Sequence, residues 1–180
     1  MSVSAVNAET TKSAAGAGFG IQLLAFAEAL LLALWIGGMV FFSFALAPSA
    51  FSALPSRHLA GMIVNSTLGK LEIIGLAIGS LLLLVQAASW RARSSEGRAR
   101  IIRLSLIAVM TACAALSRFW VSAAMHDIRS RLGVIDELPV TDPLRVEFND
   151  LHQYSVTLMG AAMAAGIIVL FLSVRSWLRR

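Results

Sequence analysis

Two carboxylates, Glu28 and Glu72, stand in stretches otherwise built from Leu, Ile, Ala and Gly. An ionised side chain well inside a membrane span costs at least about 2.5–3.5 kcal/mol, so it needs a partner or a wet cavity. Arg118 sits in its own apolar run at a depth similar to that of Glu72, and the two are expected to pair, with His126, Asp127 and His152 above them. Gln86 falls within about 60° of Glu72 when each residue turns about 100° along a helix. Glu72, Gln86, Arg118, His126, Asp127 and His152 therefore form a candidate polar pocket for an ion or small solute. The same residues also read as a buried ion pair that fixes helix register. No complementary cation is obvious for Glu28, which is expected to be protonatable. A neutral acid there would donate to Ser or Gln on a facing helix, and a proton relay would use the same property.

The methionines raise metal chemistry, because thioethers and imidazoles suit Cu(I). Met39, Met110, Met125, Met159 and Met163 lie in or beside the apolar runs, and filling of the core competes with copper as their explanation. His126, His152 and Met125 are the first copper candidates, and His126 with His152 the candidates for a haem b. No metal or cofactor is assigned on this basis. Cys113 is the sole cysteine, which excludes an internal disulfide and a cysteine cluster for zinc. No Ser-His-Asp or phosphate-loop pattern occurs, so the chain is expected not to be an enzyme.

The elements that must position these residues are apolar. Of 180 residues, 58% are hydrophobic and 14% charged, against roughly 45–50% apolar in an average soluble domain. The formal charge of +5 comes from residues flanking apolar runs rather than from a basic face interleaved with aromatics, so nucleic acid is not an expected partner. Four runs, about 20–47, 71–89, 102–124 and 153–174, reach the roughly 20 residues that cross a bilayer. Lipid supplies no partners for backbone amides, so each must be helical. The expected fold is all-α: a four-helix transmembrane bundle spanning 20–180, with residues 1–19 as a flexible polar tail. The first run is too long for a signal-peptide core, although Ala45 and Ala47 resemble a cleavage site.

Charge sets a direction. Arg91, Arg93, Arg98, Arg100 and Arg103 against Glu96 give the connection between the second and third runs a net +4, whereas residues 127–150 carry a net −3. The positive-inside rule places the basic connection and both chain ends in the cytoplasm, across an inner (plasma) membrane. Trp90 and Trp177 would anchor at the inner interface, and Trp120 and Tyr154 nearer the outer one. On the outer side, residues 56–70 place Leu59, Met62 and Ile63 on one face, which predicts a short interfacial helix. Asp142 followed by Pro143 predicts the start of the last helix, about two turns above the bilayer.

Helices in lipid meet through small residues and polar contacts. Ala25, Ala29, Ala33 and Gly37 recur every fourth residue, Gly75 and Gly79 form a GxxxG, and GAAMAAG occupies 160–166. Glu28 shares a face with Trp35 and Met39. Thr111, Arg118, Ser122 and His126 make a stripe on the third helix, and Phe148, His152, Ser155, Met159, Met163 and Gly166 one on the fourth; all are expected to point inward. Pro48 is expected to end the first helix.

Trp35, Gly37, Gly38, Phe41 and Phe42, then Ala47, Pro48, Phe51, Leu54 and Pro55, make the pattern WxGGxxFF...AP..F..LP. Phe148, Leu151, His152 and Ser155 make FxxLHxxS. Together they resemble the bacterial transmembrane protein 205-like family, domain of unknown function 4149, with a weaker likeness to the copper-resistance D membrane proteins. The resemblance implies a small four-helix membrane protein and attention to Trp35, Gly37, Gly38 and His152, with no catalytic residue carried over. The function expected is handling of a small solute or metal ion through an outward-facing polar pocket. The alternative is an accessory or assembly subunit, with lipid, further copies of the chain or partner helices around it.

Overall fold

The computed structural model describes residues 3–89, 97–132, 139 and 141–178. All regular structure among them is helical: α1 (Val3–Phe41), a π turn (Phe42–Leu46), α2 (Ala47–Ala53), α3 (Arg57–Ala88), α4 (Gly97–Leu116), a second π turn (Ser117–Val121), α5 (Ser122–Leu132) and α6 (Pro143–Trp177). The π turns join α1 to α2 and α4 to α5 end to end, so the chain forms four rods. Each contains a stretch long and apolar enough to cross a membrane: Phe19–Ala53, Arg57–Ala88, Gly97–Arg131 and Pro143–Trp177. Helical backbone continues back to Val3 through most of the segment read as a polar tail. Trp90, Arg91, Arg93 and Glu96 lie outside the described residues, as do Asp136 and Glu137.

Local chemistry explains the rod ends. Pro55 biases the preceding residue away from helix, and Leu54 is extended at φ −90° and ψ 144°. Ser56 caps α3 by accepting from the Leu59 amide at 3.2 Å. Asp142 accepts from the Leu144 amide at 2.9 Å and Pro143 opens α6, as the sequence predicts. Pro48 does not end the first rod. Its ring would collide with a carbonyl one turn back in a regular α-helix, and the π turn beside it supplies a wider register in which the Ala47 amide reaches the Phe42 carbonyl. Residues 57–70, expected as a separate interfacial helix, are instead continuous with the second rod, because nothing between Arg57 and Ala88 breaks the helix.

The rods pack in a ring, α1 against α3, α3 against α4, α4 against α6 and α6 against α1. Consecutive rods run antiparallel. We call the end bearing Ala88 and Trp177 the near end, and the end bearing Pro55 and Pro143 the far end. The core joins Leu32, Trp35, Ile78, Leu82, Ile107, Met110 and Val169, and a smaller far-end cluster joins Val121, Met125, Ile128 and Leu151. Backbones come closest where the side chain is absent. A Cβ on Gly79 would overlap the Thr111 hydroxyl, and one on Gly166 would lie 3.0 Å from Met110 Cε. Outside this core, Phe44, Phe119, Leu84 and Phe19 are more than 60% exposed. So large an apolar exterior suits acyl chains, and the chain is a membrane protein.

Two faces are as expected throughout, and the stripes on the third and fourth rods are so in part. Glu28, Trp35 and Met39 point inward together, as do Glu72, Gly75, Gly79 and Gln86. In the row of small residues on the first rod, Ala25 and Ala29 are half-buried, whereas Ala33 and Gly37 are exposed and lie on the outside. In the third rod Thr111 meets Gly79 and Ser122 meets Glu72 as expected, beside the buried Ile107, Met110, Ser117, Val121 and Met125, but Arg118 is only half-buried and His126 is exposed. The π turn inserts an extra residue per turn, so a stripe drawn at a constant 100° loses phase there. In α6 Ser155 and Gly166 are buried and Met159 and Met163 pack against the core as expected, in a row that also holds Leu151, Ala162, Ala165 and Val169, while His152 is exposed.

Candidate functional site

Glu72 stands midway along α3 with only 6% of its surface exposed. Ser117 Oγ donates to its Oε1 at 2.5 Å, and Ser122 Oγ lies 2.9 Å from Oε1 and 3.1 Å from Oε2. These serines are five residues apart and would diverge by about 140° on a regular α-helix. The π turn Ser117–Val121 brings both to one carboxyl; the Ser122 amide bonds the Ser117 carbonyl across it. Several other mid-helix hydroxyls bond their own backbone one turn earlier: Thr67 to Ile63, Ser80 to Leu76, Thr111 to Ile107 and Thr157 to Gln153. Ser117 and Ser122 turn to Glu72 instead.

The expected Glu72–Arg118 pair is therefore corrected. No ion pair reaches Glu72 among the described residues, and Arg118, one position further round the helix from Ser117, is only half-buried. His126, Asp127 and His152 do not gather above the carboxyl. All three are exposed, and Asp127 pairs with Arg131 on its own helix at 2.7 Å. Of the copper candidates, Met125 is buried in the far-end cluster, while His126 and His152 are exposed. No group of three His, Cys, Asp or Glu suited to a metal occurs among the described residues.

Beside Glu72 lies a cavity of about 40 Å³, reached by all four rods. Trp35 and Met39 enter it from α1, Glu72 and Gly75 from α3, Cys113 and Ser117 from the third rod, and Met159 from α6. Ser43, in the first π turn, has its hydroxyl 3.9 Å from Met159 Sδ. Both π turns thus border this region, in keeping with the frequency of π bulges at functional sites. Gly75 makes room for the indole: a Cβ there would lie 3.3 Å from Trp35 Nε1.

Gln86 belongs to a second polar centre at the near end. It lies fourteen residues along α3 from Glu72, about 21 Å at about 1.5 Å per residue. Gln86 Nε2 donates to Glu28 Oε1 at 3.0 Å, and Ser173 Oγ donates to the same oxygen at 2.6 Å. The expectation that Glu28 meets Ser and Gln on facing helices thus holds in its partners. Sequence reading missed the cation nearby: Arg103, fully buried, donates to Ser176 Oγ at 3.1 Å, and Ser176 in turn donates to the Ser173 carbonyl. In sequence Arg103 groups with the basic connection, and only its spacing of seven from Met110 signals an inward position.

The residues of the first-rod motif divide by role. Trp35 and Phe42 are buried, Gly38 faces Leu71, and Gly37, Phe41, Pro48 and Phe51 lie on the outside. In α6 Phe148 is half-buried beneath the Arg129 guanidinium, 4.9 Å from the ring centre. Residues 30–132, more than half of the chain, match the family described as Domain of unknown function (DUF4149). The chain belongs to that family. The match begins within the first rod, just after Glu28, covers Trp35, Glu72, Cys113, Ser117 and Ser122, and stops before α6. No curated protein and no solved structure matches the chain.

Proposed function

We propose that this DUF4149 protein is a non-catalytic membrane protein that handles a small solute or ion at the Glu72 pocket. One observation carries the reading: a buried carboxyl with no ion pair among the described residues borders a cavity between all four rods. A charge buried in a bundle without a countercharge is a functional feature by default, because insertion penalises it. The cavity holds roughly three waters at the ~10–15 Å³ each requires, which favours an ion or a very small molecule. The near end is cytoplasmic in this reading, with the chain in an inner (plasma) membrane and both termini inside, supported by the arginines there.

The test is native purification of wild-type protein and Glu72→Gln, followed by identification of the ions and small molecules retained. A species held by the wild type and lost from the variant supports the proposal; identical contents in two equally folded proteins oppose it. A second reading is an accessory subunit, favoured by the exposed Ala33 and Gly37 on the first rod, where a partner helix or a second copy would pack closely. An accessory protein keeps its role with alanine at Glu72 and loses assembly with leucine at Gly37.

A further inference from the structure

We infer that the species taken by the Glu72 pocket is a small, weakly hydrated monovalent cation of the ammonium or methylammonium class. This deepens the pocket reading above and rests on it. The charge comes first. Both serines donate to Glu72 at the expense of their own helix carbonyls, which is the surrounding an acceptor-only carboxylate takes. One negative charge in lipid-shielded surroundings asks for one positive charge.

Among the described residues, the groups facing Glu72 supply no such charge. From α1 come Trp35 and Met39, and from α6 Leu158, Met159 and Ala162, all without formal charge. The third rod offers Cys113, a titratable neighbour across the cavity, and the half-buried Arg118 that makes no ion pair with Glu72. On α3 itself Lys70 is exposed and His58 lies more than three turns away.

Ligand chemistry then selects among cations. Calcium takes six to eight oxygen ligands, and magnesium demands near-octahedral oxygen and gives up its water reluctantly. Here the oxygens are one carboxylate and the hydroxyls bonded to it, and the remaining wall is indole, thioether and aliphatic. An ammonium ion can place N–H donors on the carboxylate and the serine oxygens, give the rest to the water that the cavity has room for, and set a methyl group against the apolar wall. The volume of about 40 Å³ admits it and one methyl group, and excludes tetraethylammonium.

Cys113 lines the cavity and is the chain's sole cysteine, so it reports on the site without any substitution. Full-length protein in lipid nanodiscs is treated with methyl methanethiosulfonate, and the added mass is followed over time. The salts are ammonium, methylammonium, tetraethylammonium, sodium, magnesium and calcium chlorides at equal ionic strength. Modification of Cys113 slowed by ammonium and methylammonium, by about tenfold once either exceeds its Kd about ninefold, and unaffected by the other salts, is the expected result. In Glu72→Gln the labelling persists and the protection disappears. Labelling that no ammonium salt slows, or that magnesium or calcium slows, overturns the cation class and leaves the pocket standing. Protection that survives in Glu72→Gln also overturns it. A Cys113 that does not react in folded protein removes the pocket and the cation together. The wild-type salt series decides the matter even where Glu72→Gln does not fold.

Discussion

At the scale of single residues, the distinction that matters is between a carboxylate held by a cation and one held by hydroxyls. Glu72 is of the second kind, whereas Glu28 is linked to the buried Arg103 through two serines, Ser173 and Ser176. Removing both hydroxyls, Ser117→Ala with Ser122→Ala, leaves the Glu72 carboxyl buried with no donor. Hydrogen bonds to charged groups are worth about 1.5–3 kcal/mol, so the double variant is expected to melt markedly lower in detergent. Adding Glu72→Leu should recover part of that loss, since an apolar group needs no donor. Arg118→Gln should leave the melting temperature almost unchanged; a loss as large as that of the serine pair would restore the Arg118 pairing read from sequence. Glu72, Gln86 and Glu28 were legible as inward residues because α3 and α1 keep a constant period through them. The partners of Glu72 were not, because they depend on a π turn that leaves no composition signal.

At the scale of elements, four helices and their order follow from apolar length alone, and the cap at Asp142 and the stop at Pro55 follow from side-chain chemistry. Rotation about each rod is harder to read. In lipid both faces of a helix are apolar, so hydrophobicity does not mark the inside. Small residues mislead for the same reason: Gly79 is pressed against Thr111, whereas Gly37 has nothing within 4 Å of its missing Cβ. Gly79→Ala should therefore destabilise the bundle by about 1–3 kcal/mol, the usual cost of overpacking, and Thr111→Ala in the same chain should return much of it. Gly37→Ala should be neutral or stabilise by up to about 1 kcal/mol through helix propensity. Thermal unfolding of the three variants checks the assignment, and equal effects at Gly79 and Gly37 would contradict the packing described.

At the scale of the whole molecule, the rods make one bundle with two polar centres separated by an apolar layer of Leu32, Ile78, Leu82, Ile107 and Met110. In the pocket reading the rods cross a bilayer, so that lipid surrounds the bundle at the depth of Glu72. That threading was the most legible property of the sequence, and its direction rests on arginines alone. The direct test uses intact cells and a Cys113→Ser background carrying either Ala99→Cys at the near end or Ser130→Cys at the far end, both exposed positions. An impermeant thiol reagent added outside should label Ser130→Cys and reach Ala99→Cys only after the membrane is opened. Labelling of both from outside, or of Ala99→Cys alone, would contradict the account.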